Sequence, residues 1–324
     1  MRRISTSTKV TDKFGAGKHG FTNGNAVGGI PATDLEDVWF DHAQEEICSP
    51  IEAAGLALDS NDRTQLLQAM QILSAPIVGL MRKARMSVTA ASASATFLAD
   101  QIVVATALGG KHYRLSGFSK TVNLATTGAG GMDTGSAPTS GYVALYAIYN
   151  QTSGASALLA TNATSAVASH VYSGANMPAG YTASALVSVW PTNGSGQFTV
   201  GQQQDRDIYR NSTSVLSTTT SATSVPFTSL SISSAVPPNA VRVKGTRTIT
   251  FTSATGCAPS FAFAPDSGGS GGNLMYVSGS TSSGPNWGMD FESLVVTQQT
   301  LYYAIGNSAA VSVTYAASIV GYSI

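Results

Sequence analysis

Between Asp133 and Asp205 the chain runs for 71 residues without a single Asp, Glu, Lys or Arg. No part of that stretch is apolar enough to lie in a membrane, since its longest apolar runs are a handful of residues, far short of the ~20 that a spanning helix requires. Those runs are short, rich in Val, Leu and Tyr, and separated by Ser, Thr, Asn and Gly, as at Tyr142–Tyr149 and Ala185–Trp190. The pattern is that of β-strands whose surface is carried by hydroxyls and amides in place of ions. It suits a β-rich protein that faces the outside better than a cytosolic enzyme.

The rest of the composition agrees. Charged residues make up 10% of the 324 residues, against roughly 25% in ordinary globular proteins. A net charge of 0 leaves no basic footprint, which excludes nucleic acid as an expected partner. The charges are also uneven: residues 1–85 hold 19 of the 34, and the following 239 residues hold 15. That asymmetry predicts an N-terminal module that docks on a protein, followed by a neutral module. Cys48 and Cys257 are far apart and form no CxxC, so they read as buried thiols rather than a disulfide or a zinc site. Residues Ile4 to Gly20 are polar and give no secretory h-region, so no export signal and no membrane insertion are expected.

The N-terminal module, residues 1–76, reads as an arm followed by a small helical hairpin. Phe14 to Pro31 is crowded with glycine, predicting an irregular arm whose order depends on a partner. Thr33-Asp34-Leu35-Glu36 fits a capping box. Leu35, Val38, Trp39, Ala43, Ile47 and Ile51 then lay an apolar stripe along one helical face. Pro50 predicts a kink or break at Cys48–Pro50, and Gly55 a stop. Asp59 to Asp62 opens a second helix carrying Leu66, Leu67, Met70 and Leu73, closed by Pro76. Residues 77–110, with the basic knot Arg82-Lys83-Arg85, read as a neck, either a short coiled segment or an extended one.

Beyond Asp100 the periodicity is that of strands. Gln101–Ala105, Tyr142–Tyr149, Ser156–Ala160, Ala185–Trp190 and Gln197–Val200 fill a middle β-domain, 111–210, and its approach; on Tyr142–Tyr149 both faces are apolar, as in a sandwich or a subunit interface. Val241–Lys244, Leu274–Val277, Ser293–Thr297, Thr300–Ile305 and Ala310–Ala316 belong to a C-terminal β-domain, 211–324. The expected fold is mainly β: an arm and helical hairpin followed by two antiparallel sandwich-like domains.

Motifs for chemistry are sparse. Gly15-Ala16-Gly17-Lys18 lacks the phosphate-loop pattern, because Asp12 stands at the first glycine position and His19 follows the lysine. His19, His42, His112 and His170 are scattered without metal-ligand spacing. In the β-region the carboxylates are few; Asp290 and Glu292, two apart on a strand, would share one face and could flank a glycosidic bond only with a subunit partner. No catalytic residue, metal or cofactor is expected.

The opening from Met1 to Thr22 (MRRISTSTKVTDKFGAGKHGFT), with Ile30–Leu35 (IPATDL), Trp39-Phe40-Asp41, Gln44-Glu45-Glu46, Ile51–Gly55 (IEAAG) and Gln65–Ala69 (QLLQA), resembles the start of tail-fibre proteins of tailed bacteriophages and prophages. Leu124–Gly135 (LATTGAGGMDTG), Ala157–Ala168 (ALLATNATSAVA) and Tyr181–Asn193 (YTASALVSVWPTN) are similar to a β-module in the middle of such fibres. Together these cover roughly residues 1–205. The resemblance implies a homotrimeric fibre in the virion tail, made in the host cytoplasm. Its N-terminal arm and helices would attach to a tail or baseplate protein, with Phe14, Gly15, Gly17, His19, Phe21 and Trp39 as attachment candidates. The distal β-domain would bind a host surface polysaccharide or protein receptor. There, Tyr276, Asn286, Trp287, Asp290, Tyr302 and Tyr303, around the loop Ser278–Met289, are candidates, because aromatic rings stack on sugar faces while amides and carboxylates take hydroxyls. The alternatives are a structural adaptor or shaft with receptor binding on another chain, or a polysaccharide depolymerase.

Overall fold

The computed structural model describes residues 2–74, 77–251, 257–277 and 286–324. The chain forms two compact units, one comprising residues 1–75 with 109–111, the other residues 76–108 and 112–324.

In the first unit the arm is tied down by its own chain. Val10 and Gly20 exchange backbone hydrogen bonds of 2.8 and 2.9 Å, and Ile4 is buried. The capping-box residues serve this arm. The Thr33 hydroxyl accepts from the Thr22 N–H (2.9 Å) and donates to the Thr8 carbonyl (3.2 Å). Glu36 accepts from the Arg2 guanidinium (3.0 Å) and the Ser5 N–H (3.1 Å). Helix α1 (Asp37–Ala53) therefore starts at Glu36 with no side-chain cap, contrary to the expected box: its two polar groups find partners in the arm.

The expected break at Cys48–Pro50 is also absent. Pro50 lies inside α1 and the helix continues to Ala53, because a proline so near the end leaves only one further turn to be carried past it. The stop at Gly55 is observed. With Gly55 at φ 75°, its N–H reaches the Glu52 carbonyl (2.8 Å) and that of Leu56 the Ile51 carbonyl (3.1 Å), the two bonds of a Schellman motif. Helix α2 (Gln65–Leu73) packs beside α1. Pro76, expected to close it, lies outside the described residues. Of the two helices only Ile51 and Ala69 are buried, while Leu35, Val38, Phe40, Ile47, Leu67, Met70 and Leu73 stay exposed. The amphipathic stripe exists, and the described residues of this unit do not cover it.

In the second unit every described pairing between strands is antiparallel, and the isolated bridges Thr127–Met132 and Met132–Ala160 are parallel. Twelve strands make one large sheet: β1 (Met81–Arg82), β2 (Arg85–Val88), β3 (Ser94–Ala105), β4 (His112–Asn123), β5 (Tyr142–Tyr149), β6 (Ser156–Asn162), β7 (Ala183–Pro191), β8 (Gly201–Gln204), β9 (Asp207–Thr220), β11 (Arg242–Phe251), β14 (Asn286–Leu294) and β16 (Val313–Ser323). Its main path runs β14-β11-β16-β9-β8-β2-β3-β7-β5-β6. Four more strands, β10 (Ser224–Ser231), β12 (Ser260–Ala264), β13 (Asn273–Tyr276) and β15 (Thr300–Gly306), form a small sheet in the order β10-β15-β12-β13. Mainly β architecture behind an N-terminal helical part is thus observed.

Residues 77–110 contain strands of the large sheet and no coiled segment. Met86 and Val88 on β2 and Ala95, Phe97 and Ala99 on β3 alternate inward, and Lys83 turns the chain at φ 51° between β1 and β2, paired with Asp100 at 3.2 Å. Small residues at every second position hide this alternation in the sequence. The division at 210/211 falls inside β9, which pairs with β8 on one side and β16 on the other. A continuous core follows, from Phe97, Trp190 and Phe198 through Tyr322 to Ile249, Phe261 and Tyr315. The small sheet lies on the C-terminal part of the large one through Phe263 stacked on Phe291 (centroids 4.4 Å apart, 21° between planes) and Phe261 edge-on to Tyr315. As expected, both faces of β5 are covered: its second face, Tyr142, Tyr146 and Ile148, packs against Tyr172, Met177 and Tyr181. Both cysteines are free thiols. Among the described residues no helix is long and apolar enough to cross a membrane.

Candidate functional site

The N-terminal candidates converge. Gly15 (φ 118°) and Gly17 (φ 70°) adopt backbone conformations that only glycine takes without strain. The turn they make returns His19 to Asp12, where His19 Nδ1 accepts from the Asp12 N–H at 3.3 Å. The Asp12 carboxylate in turn accepts from the Gly17 N–H at 2.6 Å. From this turn Phe14, His19 and Phe21 face Trp39 of α1 around a cavity of about 370 Å³. Phe21 meets Trp39 edge-on at 5.2 Å, and Trp39 meets Phe40 likewise at 5.1 Å. Arg2, Arg3 and Ile4 complete the lining; sequence reasoning missed them, although the Arg2-Arg3 pair beside an apolar residue was a visible signal. Burial opposes ionisation of Glu36, yet the Ser5 N–H and the Arg2 guanidinium hold its carboxyl below the usual range. The result is an aromatic, cationic recess on a short tied arm.

The C-terminal candidates do not converge. Cross-strand partners share a sheet face, so the register places each residue. Tyr276 is opposite Ser260, and Tyr302 opposite Ala264, near opposite ends of β12 on the outer face of the small sheet. Tyr303 pairs with buried Phe263 and packs against the core. Trp287, half-exposed, shares the face of β14 that carries buried Phe291. Asp290 points the other way, opposite Thr246. Asn286 accepts from the Thr250 hydroxyl at 3.1 Å. Residues 278–285 of the expected loop lie outside the described residues. The six therefore occupy separate surfaces. Among the described residues no group of three or more His, Cys, Asp or Glu is placed to hold a metal ion.

No protein-family model matches the chain. A 73-residue stretch, 22% of the chain, is 55% identical to the "Uncharacterized protein StfP" of Escherichia coli strain K12 and spans 35% of that relative. Among solved structures, the tryptic core variant of Bacillus thuringiensis Cry1Da aligns over 79% of this chain and 54% of its own at 5% identity. Its TM-score of 0.21 is too low for a shared fold.

Proposed function

We propose that this chain is a tail-fibre component of a phage or prophage, acting as a homotrimer that attaches through residues 1–76 and presents its β-unit to a receptor on the host cell. It binds and does not catalyse. The observation that carries this reading is the missing core of the first unit. Among its described residues Ile4, Ile51 and Ala69 are the buried hydrophobic side chains, while Leu35, Val38, Phe40, Ile47, Leu58, Leu67, Met70 and Leu73 remain exposed. Ordering a residue costs about 1–2 kcal/mol of backbone entropy, and so little burial in some 75 residues cannot offset it. Further copies of the helical hairpin would cover the stripe, and a tail protein would fill the aromatic recess. The sequence resemblance of Met1–Thr22 to tail-fibre openings supports the same assignment. Three copies per fibre also suit a neutral β-surface, since multivalency adds about 10²–10⁴ over single-site affinity.

The test is light scattering on the purified full-length protein, followed by its addition to host cells before phage. A trimer that blocks adsorption is the expected result. A trimer that blocks nothing would point to an adaptor or shaft, and a monomer without binding would overturn the fibre assignment.

A further inference from the structure

Charge is scarce in the C-terminal part of the β-unit, and what there is collects in one place. Residues 211–324 contain six charged side chains: Arg242, Lys244, Arg247, Asp266, Asp290 and Glu292. Five of them line two adjacent clefts of about 390 and 550 Å³ that share Glu292. The sixth, Arg247, is fully buried and donates to the side-chain oxygen and backbone carbonyl of Asn273, which lines the first cleft. A surface that elsewhere relies on hydroxyls and amides thus concentrates its ions around one recess.

The register explains the recess. On the outer face of the large sheet, Tyr209, Gly321, Lys244 and Glu292 form one row across β9, β16, β11 and β14. Gly321 lets β9 and the Tyr209 ring pack close beside Lys244, because an added Cβ would stand 2.9 Å from the Ile208 carbonyl oxygen and 3.2 Å from the ring. Lys244 Nζ donates to the Tyr209 hydroxyl (2.8 Å), lies 5.0 Å from the ring centroid and 3.4 Å from Asp207. Arg242 pairs with Glu292. Tyr209 is 43% exposed, so part of its ring stays open.

Resting on the receptor-binding reading above, we propose that these two clefts form one site for a neutral glycan bearing vicinal hydroxyls. Each sugar hydroxyl both donates and accepts, and alternating Lys, Arg, carboxylate and amide groups on strands ~4.8 Å apart offer both kinds of partner at that spacing. The open Tyr209 ring supplies an apolar surface for a sugar face. Asp207, Asp266, Asp290 and Glu292 outnumber Arg242 and Lys244, so a polyanionic chain is repelled.

The experiment measures binding of labelled full-length protein to a panel of enterobacterial strains, untreated, protease-shaved or periodate-oxidised; periodate cleaves vicinal diols. Binding is expected to survive protease and vanish after periodate. Tyr209→Ala and Glu292→Gln, both at exposed positions, should each raise the half-saturating concentration about tenfold or more with oligomeric state and melting temperature unchanged, whereas Trp287→Ala on the opposite face of β14 should not. Wild-type binding that both variants retain would overturn the site and leave the receptor reading standing. Protease-sensitive, periodate-resistant binding would overturn the glycan. Absence of wild-type binding to every strain would overturn the receptor reading, and this inference with it.

Discussion

Tyr322 is fully buried, and its hydroxyl donates to the Val189 carbonyl at 2.6 Å. Burial raises its pKa well above the ordinary value, and burial likewise pushes Tyr142 and Tyr315 up to about 12. A raised folded pKa means that stability is fully present below the unfolded tyrosine value near 10 and is lost as pH rises toward the folded one. Arg247 works in the other direction: burial lowers its pKa to about 10, so the folded state releases that proton first and gains stability as pH rises. Three tyrosines outweigh one arginine. The melting temperature should therefore fall between about pH 10 and about pH 12, and Tyr322→Phe should make that fall shallower while costing about 1 kcal/mol at neutral pH for the lost hydrogen bond. Circular-dichroism melts across that range check this; an unchanged slope would mean that other groups titrate. Arg247 also shows what the sequence holds at this scale. The period of two puts it inward with Val243, Ile249 and Phe251, whereas its charge argues for outward, and the fold follows the period.

Elements were legible where their signals were local. Gly55 ended α1 as read, because a Schellman turn needs only a few neighbouring residues. Thr33 and Glu36 were misread because their actual partners, Thr22, Thr8, Arg2 and Ser5, are 11 to 34 residues away, and no local motif weighs distant competitors. The attachment candidates came together because a glycine turn and one helix bring neighbouring residues to one side. The receptor candidates scattered because a strand sends alternate residues to opposite faces, so closeness in sequence argues against a shared surface. Glu36 makes the arm testable. Its carboxyl is held low by Ser5 and Arg2 against the opposing effect of burial, so the clamp is present above the ordinary carboxylate range and is lost as pH falls through the lower folded value. Glu36→Gln should loosen the arm at neutral pH and make Lys9, Lys13 and Lys18 cleave faster with trypsin, with little change in the melting of the β-unit. Equal cleavage rates in the two proteins would show that the arm is held by other contacts.

At the scale of the molecule, the boundary drawn at 210/211 from composition and turn signals has a direct consequence. A domain that folds alone keeps its strand partners and its core within its own bounds. Residues 211–324 do neither: β16 pairs with β9 from Asp207 to Thr220, the Tyr322 hydroxyl is bound to Val189, and Ile324 N–H reaches the Arg206 carbonyl. Cutting there severs β9 and opens the inner faces of both halves. Turn residues could not reveal this, because strands that continue one sheet into another region look, in sequence, like strands that begin a new one. A fragment of residues 211–324 should be insoluble or lack cooperative unfolding, whereas residues 77–324 should be soluble and melt in a single transition monitored by tryptophan fluorescence and calorimetry. Trp190 is buried in the shared core before the cut, its ring N–H donating to the Thr199 carbonyl, and half-exposed Trp287 lies after it, so fluorescence, like calorimetry, samples both halves. Two separable transitions in residues 77–324, or a well-folded 211–324 fragment, would mean that the sheet is divided energetically at β9 even though its hydrogen bonds run through it.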